Sequence, residues 1–238
     1  MTNRGLYNVA DAAMTRPRLL DVYSCAGGAS MGYHRAGFDV VGVDIDPQPN
    51  YPFEFIQGDA LEILADLNFV KSFDAVHASP PCQAKSTVTP KHSRSSYAEL
   101  IAPTRDLLIA TGLPYVIENV QGAVKDLRSP VRLCGSSFLL DIRRHRFFET
   151  NWNLEAPPCA HGWQTPRFQS LDGRMKQAGR LACVVGVHGH CNYAGEKEVR
   201  QRAMDIDWMN SHELAESLPP AYTEWIGQQL IQVITKRD

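Results

Sequence analysis

The residues best suited to chemistry begin with Cys82, in the run Ala78-Ser79-Pro80-Pro81-Cys82-Gln83. Two prolines fix their own φ and restrict the residues before them, so this loop predicts a defined position for the thiol. A buried structural cysteine needs no such mount, and the bases Lys85, Lys91 and Arg94 nearby favour the thiolate, the nucleophilic form. Val116-Ile117-Glu118-Asn119-Val120 ends a second apolar run with a carboxyl group. Partly buried at the same sheet edge, Glu118 would stay protonated or share a proton with a base nitrogen, although a Glu-Asn pair at a strand end also serves as a capping device. In Arg144-His145-Arg146, strand alternation would send both guanidinium groups to one face, as a phosphate or carbonyl clamp or as a surface ion-pair strip.

A second group of residues suits a nucleoside-like ligand. Asp21-Val22-Tyr23-Ser24-Cys25-Ala26-Gly27-Gly28 follows an apolar run and leads into a helical pattern, with Gly32 one turn on. Glycines at a strand-to-helix turn let a ligand approach the backbone closely, but this spacing is not G-x-G-x-x-G and is a weak signal alone. Val40-Val41-Gly42-Val43-Asp44 ends in an acid about 20 residues after the turn, where a carboxylate accepts ribose hydroxyls. Asp59, in Gln57-Gly58-Asp59, is placed to accept an adenine amine. No lysine follows the glycines, so an adenosine ligand without a phosphate train fits better than ATP or NAD. The bland alternative is that these strand-end acids only cap helices.

Positioning these residues falls to an alternating pattern. Leu19 to Tyr23, Asp39 to Val43, Phe53 to Ile56, Phe73 to His77 and Tyr115 to Val120 read as buried strands; Gly28 to Ala36, Ala60 to Phe69 and Tyr97 to Thr111 read as helices. This predicts an α/β domain with a mainly parallel sheet. Prolines and glycines then break the rhythm from Asn151 to Arg180, which reads as a loop-rich insert; Leu181 to Val187 reads as a further strand, and Tyr222 to Thr235 as a closing amphipathic helix. The 238 residues suit one full domain with a modest appendage, and 44% hydrophobic with 21% charged excludes disorder, collagen and small disulfide scaffolds. No membrane-spanning run or signal peptide is legible, so the expected location is the cytoplasm of a bacterial or phage-infected cell, with mostly reduced cysteines. A net charge of −2 argues against gripping nucleic acid by bulk charge, but the bases are unevenly spread. Asp39 to Asp74 holds eight acids and one base, whereas Lys125 to Arg146 holds six bases and two acids. That asymmetry suits a polyanion-facing cleft on an acidic body, or merely solvated faces.

Together, and in this order, the motifs resemble those of the DNA (cytosine-5)-methyltransferases in the short phage or prophage form, over about Leu19 to Leu230. The resemblance implies a Rossmann-like class I methyltransferase sheet with helices on both faces. The catalytic domain would span 18–148 and 200–238, with a small target-recognition region at 149–199. It implies S-adenosylmethionine held by Tyr23, Ser24, Ala26, Gly27, Gly28, Asp44, Ile45, Asp59, Ala60, Pro80 and Gln228. Substrate contacts would come from Ser79, Pro81, Gln83, Lys85 and Asn119. Cys82 would add to carbon 6 of a flipped cytosine, Glu118 would serve ring nitrogen 3, Arg146 the base carbonyl, and Arg144 would steady the catalytic loop, with Lys85 to Ser96 closing on the base.

Two positions depart from the family pattern: Ile142 stands where glutamine usually opens the paired-arginine motif, and Gly227-Gln228 replaces a late Gly-Asn pair. Expected partners are double-stranded DNA and, as a candidate, a cognate restriction endonuclease; the expected state is a monomer. The alternatives are a tRNA cytosine-5 methyltransferase on the same site and a catalytically silent nucleic-acid-binding module. Zinc deaminases, which also flip cytosine, need Pro-Cys-x-x-Cys, and here Lys85 replaces the second cysteine. Cys159, His161, Cys183, His188, His190 and Cys191 gather in the insert, where Cys-x-His and His-x-His-Cys could hold zinc, but the spacing matches no common motif and no metal is assigned.

Overall fold

A computed structural model describes residues 16–81, 99–166, 168–169, 175–176, 182–185, 187 and 197–236. The five apolar runs become β1 (Arg18–Val22), β2 (Asp39–Asp44), β3 (Glu54–Gln57), β4 (Ala75–Ala78) and β5 (Tyr115–Asn119), all parallel. Two further strands, β6 (Val131–Leu133) and β7 (Arg146–Thr150), complete a seven-stranded sheet in the order β3-β2-β1-β4-β5-β7-β6, with β7 antiparallel to both neighbours. The chain runs outward from β1 in one direction and returns to β4 on its other side. Ligands of open α/β sheets bind at such a reversal, outside the carboxyl ends of the strands.

Near-continuous apolar strands follow from burial on both faces. Leu20, Val22, Val41, Val43, Val76 and Ile117 point to one face and pack on α2 (Ala60–Ala65), α3 (Leu67–Val70) and α4 (Ile101–Thr111) through Leu64, Val70 and Leu108. Their neighbours Leu19, Val40, Ala75 and Val116 point to the other, against Tyr33 of α1 (Gly28–Ala36) and Tyr222, Ile226 and Leu230 of α7 (Pro220–Thr235). A third cluster joins Ala26 and Ile142 to Met204, Ile206, Met209 and Leu214 around α5 (Lys197–Met204) and α6 (Ser211–Glu216).

Several sequence expectations are refined. The single helix expected over Ala60 to Phe69 splits at Asp66, whose Oδ1 accepts from the amides of Asn68 and Phe69 and so starts a new helix. Arg144 precedes β7 instead of lying in it, so strand alternation does not place Arg144 and Arg146 on one face. β7 continues through Thr150, which gives Glu149 to the sheet and not to the insert. In the insert, β8 (Gln164–Pro166) pairs in parallel with β11 (Ala182–Val184), and β9 (Phe168–Gln169) with β10 (Met175–Lys176). The strand expected over Leu181 to Val187 is therefore short and belongs to a separate ribbon. Among the described residues no helix is long and apolar enough to cross a membrane.

Candidate active site

One cleft at the carboxyl edge of β1, β4 and β5 collects Asp21, Tyr23, Ser24, Cys25, Gly28 and Ala29 with Ser79, Glu118 and Arg146. The glycine turn and the carboxyl–guanidinium pair, 90 residues or more apart in sequence, thus face a common space. Cys82, Gln83 and Lys85, with the loop from Lys85 to Ser96, lie outside the described residues.

The turn after β1 is shaped by its neighbours. Gly27 adopts φ +83°, the left-handed region that favours glycine, and its backbone lies against Tyr51 and Pro52. A Cβ on Gly28 would sit 2.0 Å from Ser217 Oγ, so only glycine admits the segment from Glu216 to Leu218, which forms the opposite rim. Asp44 is buried; its Oδ2 accepts from the amide of Cys25 at 2.9 Å and its Oδ1 from that of Asp46 at 3.1 Å, so it orders the turn from the next strand. Beside it Ile45 is 64% exposed and is not among the residues that line the cleft. Asp59 caps α2, both bonds falling on Oδ1, from Leu61 at 2.7 Å and Glu62 at 3.3 Å. Its neighbour Ala60 is buried in the core. Tyr23, also at positive φ, anchors its hydroxyl on Thr104 Oγ1 at 2.9 Å.

Asp21, wholly buried beneath the turn, has its pKa raised to about 7, chiefly by burial, with the charge of Asp44 adding to the effect and the hydroxyl donated by Ser30 opposing it. Its Oδ1 has no hydrogen-bond partner. The glycine turn that lines the cleft and the unpaired buried carboxyl oxygen beneath it fit a small polar ligand with a cationic centre.

Glu118 is 8% exposed, and Arg146 Nε lies 2.9 Å from its Oε1. Burial raises the Glu118 pKa against the opposing pull of Arg146, then Arg144, then a hydrogen bond from Ser79. Behind Ser79 runs a buried chain: Tyr33 hydroxyl to His77 Nδ1 at 2.9 Å, and His77 Nε2 to Ser79 Oγ at 2.9 Å. Burial pushes the His77 pKa down to about 3, so the imidazole is neutral. With Ser79 donating to Glu118, one tautomer satisfies every link: Tyr33 donates to Nδ1, and Nε2–H donates to Ser79. Sequence reasoning missed Tyr33 and His77; their signal was a hydroxyl and an imidazole at inward positions of otherwise apolar elements.

Asn119 is buried, donates to the Pro80 carbonyl at 2.9 Å and accepts from the Val120 amide at 2.9 Å. It therefore holds the Pro80-Pro81 loop from β5. Arg144 is likewise committed to the body of the protein. Its guanidinium donates to the Val187 carbonyl and to the Ala215 carbonyl at 2.7 Å, tying the insert to α6, while Arg146 lies in salt-bridge contact with Glu118.

Of the expected cofactor residues, Tyr23, Ser24 and Gly28 line the cleft, whereas Ala26, Gly27, Asp44, Ile45, Asp59, Ala60, Pro80 and Gln228 are not among its lining residues. Ala26 is buried in the third core cluster, its carbonyl accepting from the Trp208 indole at 2.9 Å. Gln228 is exposed on α7, two turns beyond the helix start, because Gly227 turns inward, where a Cβ would lie 2.6 Å from Ala36 Cβ. The residues that reach the cleft from that end of the chain are Glu216, Ser217 and Leu218, unremarked in the sequence because Gly227-Gln228 looked closer to the family pair.

Solved structures with a similar fold include one described as a DNA modification methyltransferase encoded within an E. coli prophage, with TM-score 0.62 and 15% identity over 92% of this chain and 99% of that one. The S. pombe Dnmt2 methyltransferase matches over the same shares, 92% and 99%, with TM-score 0.56 and 14% identity. The fold is a class I methyltransferase fold. No family model matches the chain. In sequence, the type II methyltransferase M.XorII of Xanthomonas oryzae pv. oryzae is 32% identical over 125 residues, covering 46% of this chain and 29% of that protein. The match thus spans less than a third of the relative's length. The likeness to DNA methyltransferases read from the motifs is borne out by that relative and by the solved neighbours.

Proposed function

We propose that this protein transfers a methyl group from S-adenosylmethionine to carbon 5 of a cytosine in double-stranded DNA. The observation that carries the reading is the Glu118–Arg146 pair opening into the same cleft as the glycine turn, with Asn119 anchoring the loop that leads to Cys82. Tyr23, Ser24, Gly27, Gly28, Asp44, Ile45 and Asp59 would hold the cofactor. When bound, it supplies an electrophilic methyl group.

The protein's own residues do the rest. Carbon 5 of cytosine is a poor nucleophile, and addition of the Cys82 thiolate to carbon 6 gives it enamine character. Glu118, its pKa raised, delivers a proton or hydrogen bond to ring nitrogen 3 as negative charge develops there. Arg146 steadies the base carbonyl and keeps Glu118 from drifting. Ser79, held by His77, fixes the rotamer of Glu118 from behind. Once carbon 5 has accepted the methyl group, loss of its proton to a base expels the thiolate from carbon 6 and restores the ring. The base must leave the duplex first, at a cost of a few kcal/mol, which the basic loop Lys85 to Ser96 would offset by closing on it.

The test is nucleoside mass spectrometry after incubation with S-adenosylmethionine and either mixed-sequence duplex DNA or total tRNA. The expected product is 5-methyldeoxycytidine in the DNA, absent with Cys82→Ser. Methylation of tRNA alone would move the substrate to RNA, and no product on either, with cofactor binding intact, would leave a binding module.

A further inference from the structure

Four metal-ligating side chains outside the cleft converge on one point. Cys134, His145, Cys159 and His161 place their ligand atoms all within 4.8 Å of one another. We propose that these four residues bind a structural zinc ion that fastens the root of the insert to the strand presenting Arg146.

The separations suit a tetrahedral site. Zinc–sulfur bonds of about 2.3 Å and zinc–nitrogen bonds of about 2.0 Å put neighbouring ligand atoms about 3.3 to 3.8 Å apart. Cys134 Sγ lies 3.2 Å from His161 Nε2, and Cys159 Sγ lies 3.6 Å from His145 Nε2. The two imidazoles stack at 5.3 Å between centroids. Two thiolates and two imidazoles form a closed set of four with no position left for substrate, the composition of a structural site. Ser136 supplies the outer support: its Oγ accepts from the Ala160 amide at 3.0 Å and lies 3.1 Å from Cys134 Sγ.

The location explains why a metal would be useful. Among residues 155–162 none is buried, so little apolar burial fixes this stretch as it leaves the sheet. Cys134 closes the end of β6, and His145 sits between Arg144 and Arg146 at the start of β7. A metal joining them to Cys159 and His161 ties an under-packed segment to the sheet at the residue next to the one that faces Glu118. Small loop-rich units that lack a core are commonly stapled in this way. The sequence assigned no metal; among the described residues Cys159 and His161 converge with Cys134 and His145 of the catalytic domain. His188, His190 and Cys191 lie outside the described residues, as does the Cys183 side chain.

The test begins with elemental analysis of the full chain purified without chelator or affinity metal. One zinc per chain is expected, falling below a tenth in Cys159→Ser and His145→Ala and unchanged in Cys82→Ser, Cys183→Ser and Cys191→Ser. Should the ligand variants fail to fold, cobalt substitution of the wild-type chain gives an independent reading: intense visible bands of tetrahedral coordination with two thiolate charge-transfer bands. A chain without zinc that gives no such cobalt spectrum, a Cys134–Cys159 disulfide in peptide maps, or zinc lost on changing Cys183 or Cys191 would overturn the proposal.

Discussion

Strand β7 contributes to two arginine–glutamate pairs, and they differ in how fully each is used. Near its end, Glu149 takes Arg105 in a two-pronged contact, 2.7 Å to Nε and 2.6 Å to Nη2, and also accepts from the Arg128 amide at 2.7 Å. Arg105 spends a further donor on the Asp126 carbonyl, and both side chains are buried, at 7% and 1% exposure. At its start, Arg146 meets Glu118 through one 2.9 Å contact, with both side chains open to the cleft. A pair whose donors and acceptors are all matched is structural. A pair left with spare capacity, holding a carboxyl group whose pKa is raised, is ready to receive a substrate.

The largest expected effect separates the two pairs by activity. Glu118→Gln should lower kcat by about 10²–10⁴-fold while the unfolding midpoint in urea stays close to wild type. Arg105→Ala should do the reverse, costing about 3–5 kcal/mol of stability by leaving Glu149 buried and unpaired, with the remaining folded protein still active. Equal loss of stability from both variants would erase the distinction. Asn119→Ala should cost about 1–3 kcal/mol for the lost support of the Pro80 carbonyl, with a larger loss of activity than of stability.

A smaller effect is expected with pH. Asp21 has a folded pKa of about 7 against 3.8 unfolded, so the folded state binds the extra proton. Its contribution is complete below pH 4 and is lost as pH rises toward and through 7. Thermal melting points across that window should fall with pH in the wild type and fall less steeply in Asp21→Asn.

How far the sequence foretold this depends on the kind of signal. The five parallel strands were legible because burial on both faces leaves uninterrupted apolar runs. Val131 to Leu133 was not, since three residues carry no period. The split at Asp66 is a local competition between a carboxylate and the helix amides, and it leaves no mark in hydrophobicity. Glu118 and Asp44 were legible as candidates because each ends an apolar run with an acid. The Tyr33–His77–Ser79 chain and the rim from Glu216 to Leu218 depend on how distant elements meet. Arg144 shows the same limit: its spacing from Arg146 suggested a shared face, but the strand begins two residues later and the side chain serves the insert instead.

The central claim, that Cys82 adds covalently to a flipped cytosine in this cleft, is tested most directly by trapping. A duplex carrying 5-fluorocytosine, incubated with the protein and S-adenosylmethionine, should form an adduct that survives denaturation, because fluorine on carbon 5 cannot leave as the proton does. Peptide mapping should place the adduct on Cys82. An adduct absent from every cytosine context, while unsubstituted DNA is methylated, or one on a different cysteine, would contradict the account.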